Sequence, residues 1–222
     1  MKNKKFPLRP VLIAIILIPL NSYWIAYQEV AWYARLTYVV PFPNVIFTIF
    51  LLTAFNALLS RFSKMALTYG ELLVIYILLS IASAISNNLM LAEVIPSFGY
   101  AYWYATPENE WREVIWKHLP GWLTVNDKDI LRGYYEGGSS LYNMRTIRTW
   151  LSPILAWSSF TFVMVFVMLC LSVVLRRQWT ESERLTYPTI RLPLEMTNPE
   201  SGFFRNRLMW MGFAMADIWN IA

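Results

Sequence analysis

The sequence predicts an all-α, polytopic membrane protein, and three observations carry that expectation. Only 15% of the 222 residues are charged, against about 25% in soluble domains, and the mean hydropathy is +0.40. Long runs carry no charge at all: Val11 to Gln28, Val45 to Leu59, Leu72 to Leu91 and Trp150 to Leu175. The segments before, between or after alternate runs are basic, with Lys2, Lys4, Lys5 and Arg9, then Arg61 and Lys64, then Arg176 and Arg177, then Arg205 and Arg207. A spanning helix needs about 20 predominantly apolar residues. Lysine and arginine mark the cytoplasmic side. The pattern gives four full spanning helices and a truncated fifth, with the N-terminus inside. In a soluble chain a net charge of +5 would suggest nucleic acid; beside apolar spans, topology accounts for it, and no nucleic-acid partner is expected.

The first helix follows the basic start. A signal peptide is the rival reading, but Tyr23, Trp24 and Tyr27 stand where a cleavage site wants small residues. Pro19 removes one backbone hydrogen bond near the middle, so a kink is expected. Asn21 and Ser22 follow and serve the freed backbone or face a polar cavity. Glu29 to Val40 is a short outer connection with Trp32, Tyr33 and Tyr38 suited to the interface. After Pro41-Phe42-Pro43, Asn44 reads as a helix cap for Val45 to Leu59. The third helix begins near Thr68 with Glu71 in its first turn, where the dipole favours an acid, and runs to about Leu91. Its Ser80, Ser83 and Ser86 or Asn87 recur at helical spacing and form one small polar face. That face is either a close helix contact or the wall of a polar cavity.

Residues 93–149 are the one sizeable non-membrane segment and are expected outside. Thr106-Pro107 reads as the cap and first position of a short helix with Trp111, Val114, Ile115 and Leu119 on one face. Asn126-Asp-Lys-Asp129 starts a second, closed by Gly137-Gly138. The fourth span returns inside, with Trp150 and Trp157 suited to the outer interface and Cys170 reading as a small packed hydrophobe. Residues 176–207 form a cytoplasmic loop. There Pro188 and Pro193 are expected to force extended or turn geometry, with Trp179, Leu185, Tyr187, Ile190, Leu192 and Leu194 as apolar anchors against inner helix ends. Leu208 to Ala222 holds Asp217 and reads as a fifth helix cut short, making residues 1–222 one membrane domain at the N-terminal end of a longer protein.

There is no phosphate loop, nucleophile elbow, zinc-protease motif or cysteine pair. One histidine and one cysteine exclude a Cys/His zinc site. No cofactor, metal site or catalytic set is expected.

The inner segment Arg176-Arg-Gln-Trp-Thr-Glu-Ser-Glu-Arg-Leu-Thr-Tyr-Pro188, with Arg191-Leu-Pro-Leu-Glu-Met196, resembles a family of large bacterial and archaeal polytopic membrane proteins with no assigned activity. Tyr69-Gly-Glu-Leu-Leu-Val-Ile-Tyr76, Leu119-Pro-Gly-Trp122 and the opening Arg9-Pro-Val-Leu-Ile-Ala-Ile-Ile-Leu-Ile-Pro-Leu-Asn21 fit the same pattern. The Leu185-Thr-Tyr-Pro188 element is similar to one found after a spanning helix in oligopeptide-transporter-like proteins. The expected kink at Pro19 with Asn21 and Ser22, the polar face of the third helix and this similarity together point to a secondary transporter for a small organic solute or peptide in the plasma membrane, driven by a coupling ion. Asn21, Ser83, Asn87 and Glu93 are the candidate cavity-lining residues. A membrane-embedded enzyme acting on lipid-linked substrates through outer carboxylates such as Glu29 is the alternative, and a non-catalytic membrane subunit is a third.

Overall fold

The computed structural model describes residues 8–32, 36–60, 66–87, 90–140, 142–183 and 187–221, the side chains at 30, 60, 91 and 216–221 excepted. The expectations for Lys2, Lys4, Lys5, Tyr33, Arg61, Lys64, Leu185 and the Asp217 side chain fall outside these. All regular structure among the described residues is helical. The helices are α1 (Leu8–Ala31), α2 (Pro43–Ser60), α3 (Tyr69–Ile85), α4 (Ile95–Trp103), α5 (Trp111–Val114), α6 (Lys128–Tyr135), α7 (Met144–Arg177), α8 (Pro188–Thr197) and α9 (Arg207–Ile221). The chain divides into two compact units, residues 1–88 with 186–222, and residues 89–185.

In the first unit, α1 runs unbroken through Pro19. Apolar residues surround it, and Leu12, Ile15, Ile16 and Leu20 stay exposed while Ala14 and Ile25 are buried. Its core is Val45, Ile49, Ile75, Leu79 and Met196. Helix α3 starts on a capping box: Thr68 Oγ1 accepts from Glu71 N, and Glu71 Oε2 accepts from Thr68 N at 2.8 Å. It ends at Ile85, short of the expected Leu91, with Ser86 as its C-cap: the Ser86 N–H donates to Ala82 O, and its hydroxyl turns to Ser22 on α1. At the other end Asn56 clasps Leu67, donating to its carbonyl (2.8 Å) and accepting from its N–H (2.6 Å). This ties α2 to the approach of α3.

The proline-rich segment is helical, which corrects the expectation of an extended loop. Pro188 opens α8, where an N–H has no helical partner in any case. Pro193 forfeits one internal bond but is buried with Met196 and Thr197, and α8 packs on α2 and α3. Tertiary burial therefore overrides local propensity. Tyr187, Ile190 and Leu192, read as anchors, are exposed.

The second unit has its own core of Phe98, Tyr102, Val125, Ile130, Leu131 and Trp150. Its short helices include α6 in the expected place, α5, which starts at Trp111 instead of Pro107 and gives way to a 3-10 turn at Trp116–His118, and also α4, reached from a π-helical turn at Met90–Val94. Asn109, not Thr106, organises the start of α5: its Oδ1 accepts from Thr106 N (3.0 Å) and Trp111 N (3.1 Å), and its Nδ2 donates to Tyr104 O. Asp127 caps α6 with Oδ1 and holds Arg145 at the start of α7 with Oδ2 (2.6 Å). Trp150 belongs to the core, and the half-buried Trp157 stacks on Phe98. The Tyr135 hydroxyl donates to Pro96 O at 2.7 Å, and burial, helped by neighbouring tyrosines, pushes its pKa up to about 12.

Among the described residues, two helices are long and apolar enough to cross a membrane: α1 over Leu8–Glu29, and α7, extended by a π-helical turn, over Met144–Ser182. Helices α2 and α3 are apolar but shorter. No residue in the most apolar window of α7 is buried. Phe160, Phe162, Val163, Phe166, Val167, Val173 and Val174 are all exposed, and so is Cys170, which was expected to be packed.

Gly99 brings α4 against α6: a Cβ there would meet Leu131 Cδ2 at 2.1 Å, and Leu131 is fully buried. Gly99→Ala is expected to cost about 1–3 kcal/mol through overpacking, read as earlier proteolysis of residues 89–140 on heating. Unchanged protection would contradict this packing.

Candidate functional site

Three neutral side chains from three helices meet inside the first unit. Asn21 is 4% exposed, and Asn44 and Ser83 are fully buried. Asn21 Nδ2 donates to Ser83 Oγ at 2.9 Å. Asn44 Nδ2 donates to Asn21 Oδ1 at 2.8 Å and to Ser83 Oγ at 2.9 Å. One turn on, Ser22 and Ser86 share a hydrogen bond of 2.9 Å. Two oxygens at this face are buried without a partner among the described residues: Asn44 Oδ1 and Ser80 Oγ.

The pairing fixes the helix directions. Arg9 meets Glu71 at 3.9 Å, and Asn21 meets Ser83, the two pairs at the same sequence offset. Helices α1 and α3 therefore run parallel. Helix α2 lies antiparallel, its start at Asn21 and its last turns beside Leu67. The cluster stands about 18 Å along α1 from Arg9, at 1.5 Å per residue. At that level α2 begins and α3 ends, while α1 continues to Ala31. The cluster is thus built at two helix ends that abut a continuous helix.

Of the residues expected to line a cavity, Asn21 and Ser83 are brought together. Asn87 is half-buried just past the end of α3. Glu93 is exposed in the π-helical turn that opens the second unit. Asn44 is the residue that sequence reasoning assigned otherwise. It is not a cap: α2 starts one residue earlier, at Pro43, and the Asn44 side chain turns inward to its two partners. The available signal was an amide between apolar neighbours on both sides. Glu29, two turns above Asn21, is 5% exposed. Its Oε1 accepts from Thr37 N (2.9 Å) and Thr37 Oγ1 (2.5 Å), and its Oε2 has no partner among the described residues.

No group in the cluster ionises in the physiological range. No set of three His, Cys, Asp or Glu among the described residues could hold a metal ion. The cluster can donate and accept hydrogen bonds and offer neutral oxygens. It has no acid–base or nucleophilic pair.

Asn44→Leu strands the Asn21 carbonyl oxygen in a buried setting while also removing the unpaired Asn44 oxygen. A net loss of about 1–3 kcal/mol is expected, seen as a lower thermal midpoint of the purified protein. A midpoint equal to wild type would contradict the cluster's role in holding the helices.

The chain belongs to a family of unknown function, DUF6785, whose model matches residues 1–222. No curated protein and no solved structure matches the chain.

Proposed function

We propose that the chain is the four-span part of a secondary transporter in the plasma membrane, N-terminus cytoplasmic, moving a small organic solute or peptide coupled to an ion. The observation that carries this reading is the Asn21–Asn44–Ser83 cluster at two abutting helix ends. Hydrocarbon offers no water to solvate polar groups, so neutral side chains held about 18 Å from the basic end of α1 are expensive there unless they serve a path. Transporters place their sites near the bilayer midplane, at helices that break there.

The membrane setting is supported by α1 and α7, which pass by length and composition. It is supported further by the uncovered apolar surface of α7: a 34-residue helix with its flank of phenylalanine and valine exposed needs lipid or protein around it. Helices α2 and α3 cross as partners of α1, their lengths of about 27 and 26 Å falling just under the 30 Å hydrocarbon core. In this topology residues 93–149 lie outside and 176–207 inside. The weak similarity of Leu185-Thr-Tyr-Pro188 to oligopeptide-transporter-like proteins points the same way. The alternative, an enzyme acting on lipid-linked substrates, rested on Glu29 and the outer acids; Glu29 is buried, with Oε1 held by Thr37.

Topology is tested by cysteine labelling in a Cys170→Ser background. A membrane-impermeant maleimide should label Tyr142→Cys in intact cells, and Glu200→Cys only after lysis; the reverse order would invert the model. Function is tested by uptake of labelled alanine and trialanine into liposomes holding the protein. Asn21→Ala is expected to slow uptake about tenfold or more, as loss of a positioned polar contact does. Undiminished uptake in both Asn21→Ala and Asn87→Ala would remove these residues from the path.

A further inference from the structure

We infer that the Asn21–Asn44–Ser83 cluster is a binding site for a dehydrated monovalent cation, with the Asn44 amide as its gate. The inference deepens the transport reading by naming the ion, but binding itself does not require that reading. Asn44 Nδ2 sits 2.8 Å from Asn21 Oδ1 and 2.9 Å from Ser83 Oγ. Two oxygens from two other helices are thus already gathered around one positively polarised centre. On the same side chain, Asn44 Oδ1 is fully buried and has no donor among the described residues. A half-turn of the amide exchanges the two atoms. Asn44 then gives up two N–H bonds and presents Oδ1 beside Asn21 Oδ1 and Ser83 Oγ, three oxygens with a cation between them.

The surroundings fix the ion's class. Ser83 lies in the last turn of α3, where terminal carbonyls carry partial negative charge and favour a cation. The opposing positive end of α2 is blunted, since Pro43 at its first position has no N–H. Ser80, one turn before Ser83 on the same face, adds a second unpaired buried oxygen. Among the described residues no carboxylate bonds to these groups. Desolvation rises with the square of the charge, so a divalent ion would cost about four times as much with nothing anionic to offset it. Amides and hydroxyls do not titrate near neutral pH, so the cluster cannot carry a proton instead. An organic solute needs a cavity, whereas the side chains here are in direct contact.

The test follows heat unfolding of the purified protein in nanodiscs by tryptophan fluorescence, in sodium, potassium or choline chloride at constant ionic strength. Sodium or potassium should raise the midpoint saturably over choline, by roughly 5–10 °C at about 100 times the Kd. Asn44→Asp, which puts an anionic oxygen at the gate, should tighten binding about tenfold or more, whereas a purely structural amide would make that variant less stable in every salt. Ser83→Ala, which keeps the helix intact, should weaken the cation response about tenfold. Equal midpoints in all three salts for wild type and Asn44→Asp would overturn the inference. Solute uptake that runs equally in choline, with the saturable midpoint shift present, would support the site and count against this cation as the coupling ion alone. A saturable cation shift without uptake of any solute would support the site and count against transport alone.

Discussion

Asn44 can donate to Asn21 and Ser83 at once only if three helices are held in one arrangement. Helices α1 and α3 must run parallel, α2 must oppose them, and the start of α2 must stand level with the end of α3. That single three-way contact therefore carries the register of the first unit. Apolar contacts alone would not specify it. Isoleucine and leucine line α1, α2 and α3 on every side, and a helix that is apolar all round can rotate or slide at little cost. Polar side chains cannot, because each displaced bond leaves a buried donor or acceptor unpaired. The other fixtures of the unit agree with this register. The Thr68–Glu71 capping box and the Asn56 clasp on Leu67 hold the opposite end of α2 and α3.

The second unit is held differently. Its short helices are joined by aromatic contacts and by polar staples at their ends, with Asn109 before α5, Asp127 at α6 and its arginine partner at the start of α7. Gly99 lets α4 approach Leu131. This is the construction of a compact polar-faced module. The long C-terminal part of α7 has nothing in common with it: from Leu155 to Leu175 that helix shows apolar side chains to its surroundings. One helix thus joins a self-contained module to a surface that demands an apolar environment.

Much of this was legible in the sequence, and the misses have physical causes. Charge-free runs located α1, α2, α3 and α7, and the serine face of α3 with Asn21 led to two members of the cluster. Asn44 was assigned as a cap because cap preference is a local rule. Its real partners lie on other helices, which no local rule can see. A charge-free run that continues past Ile85 predicts a longer α3, whereas the helix ends at Ile85 and Ser86 bonds across to Ser22 on α1. Pro188 and Pro193 argued against a helix that forms anyway. The first is harmless at a helix start, and the second gains enough from burial against α2 and α3 to offset its lost bond. The sequence also gave no hint that Glu29 would be buried on Thr37, since that depends on how the chain folds back after α1.

The measurement closest to the central claim is a double-mutant cycle between Asn21→Leu and Asn44→Leu, read as unfolding free energy in lipid. If the two amides hold one another across the helix contact, the double variant is less destabilised than the sum of the singles, with a coupling of about 0.6–1.7 kcal/mol, the range known for polar contacts between membrane helices. Additivity within about 0.3 kcal/mol would mean that Asn21 and Asn44 do not share a bond, and the register of the three helices would need another source.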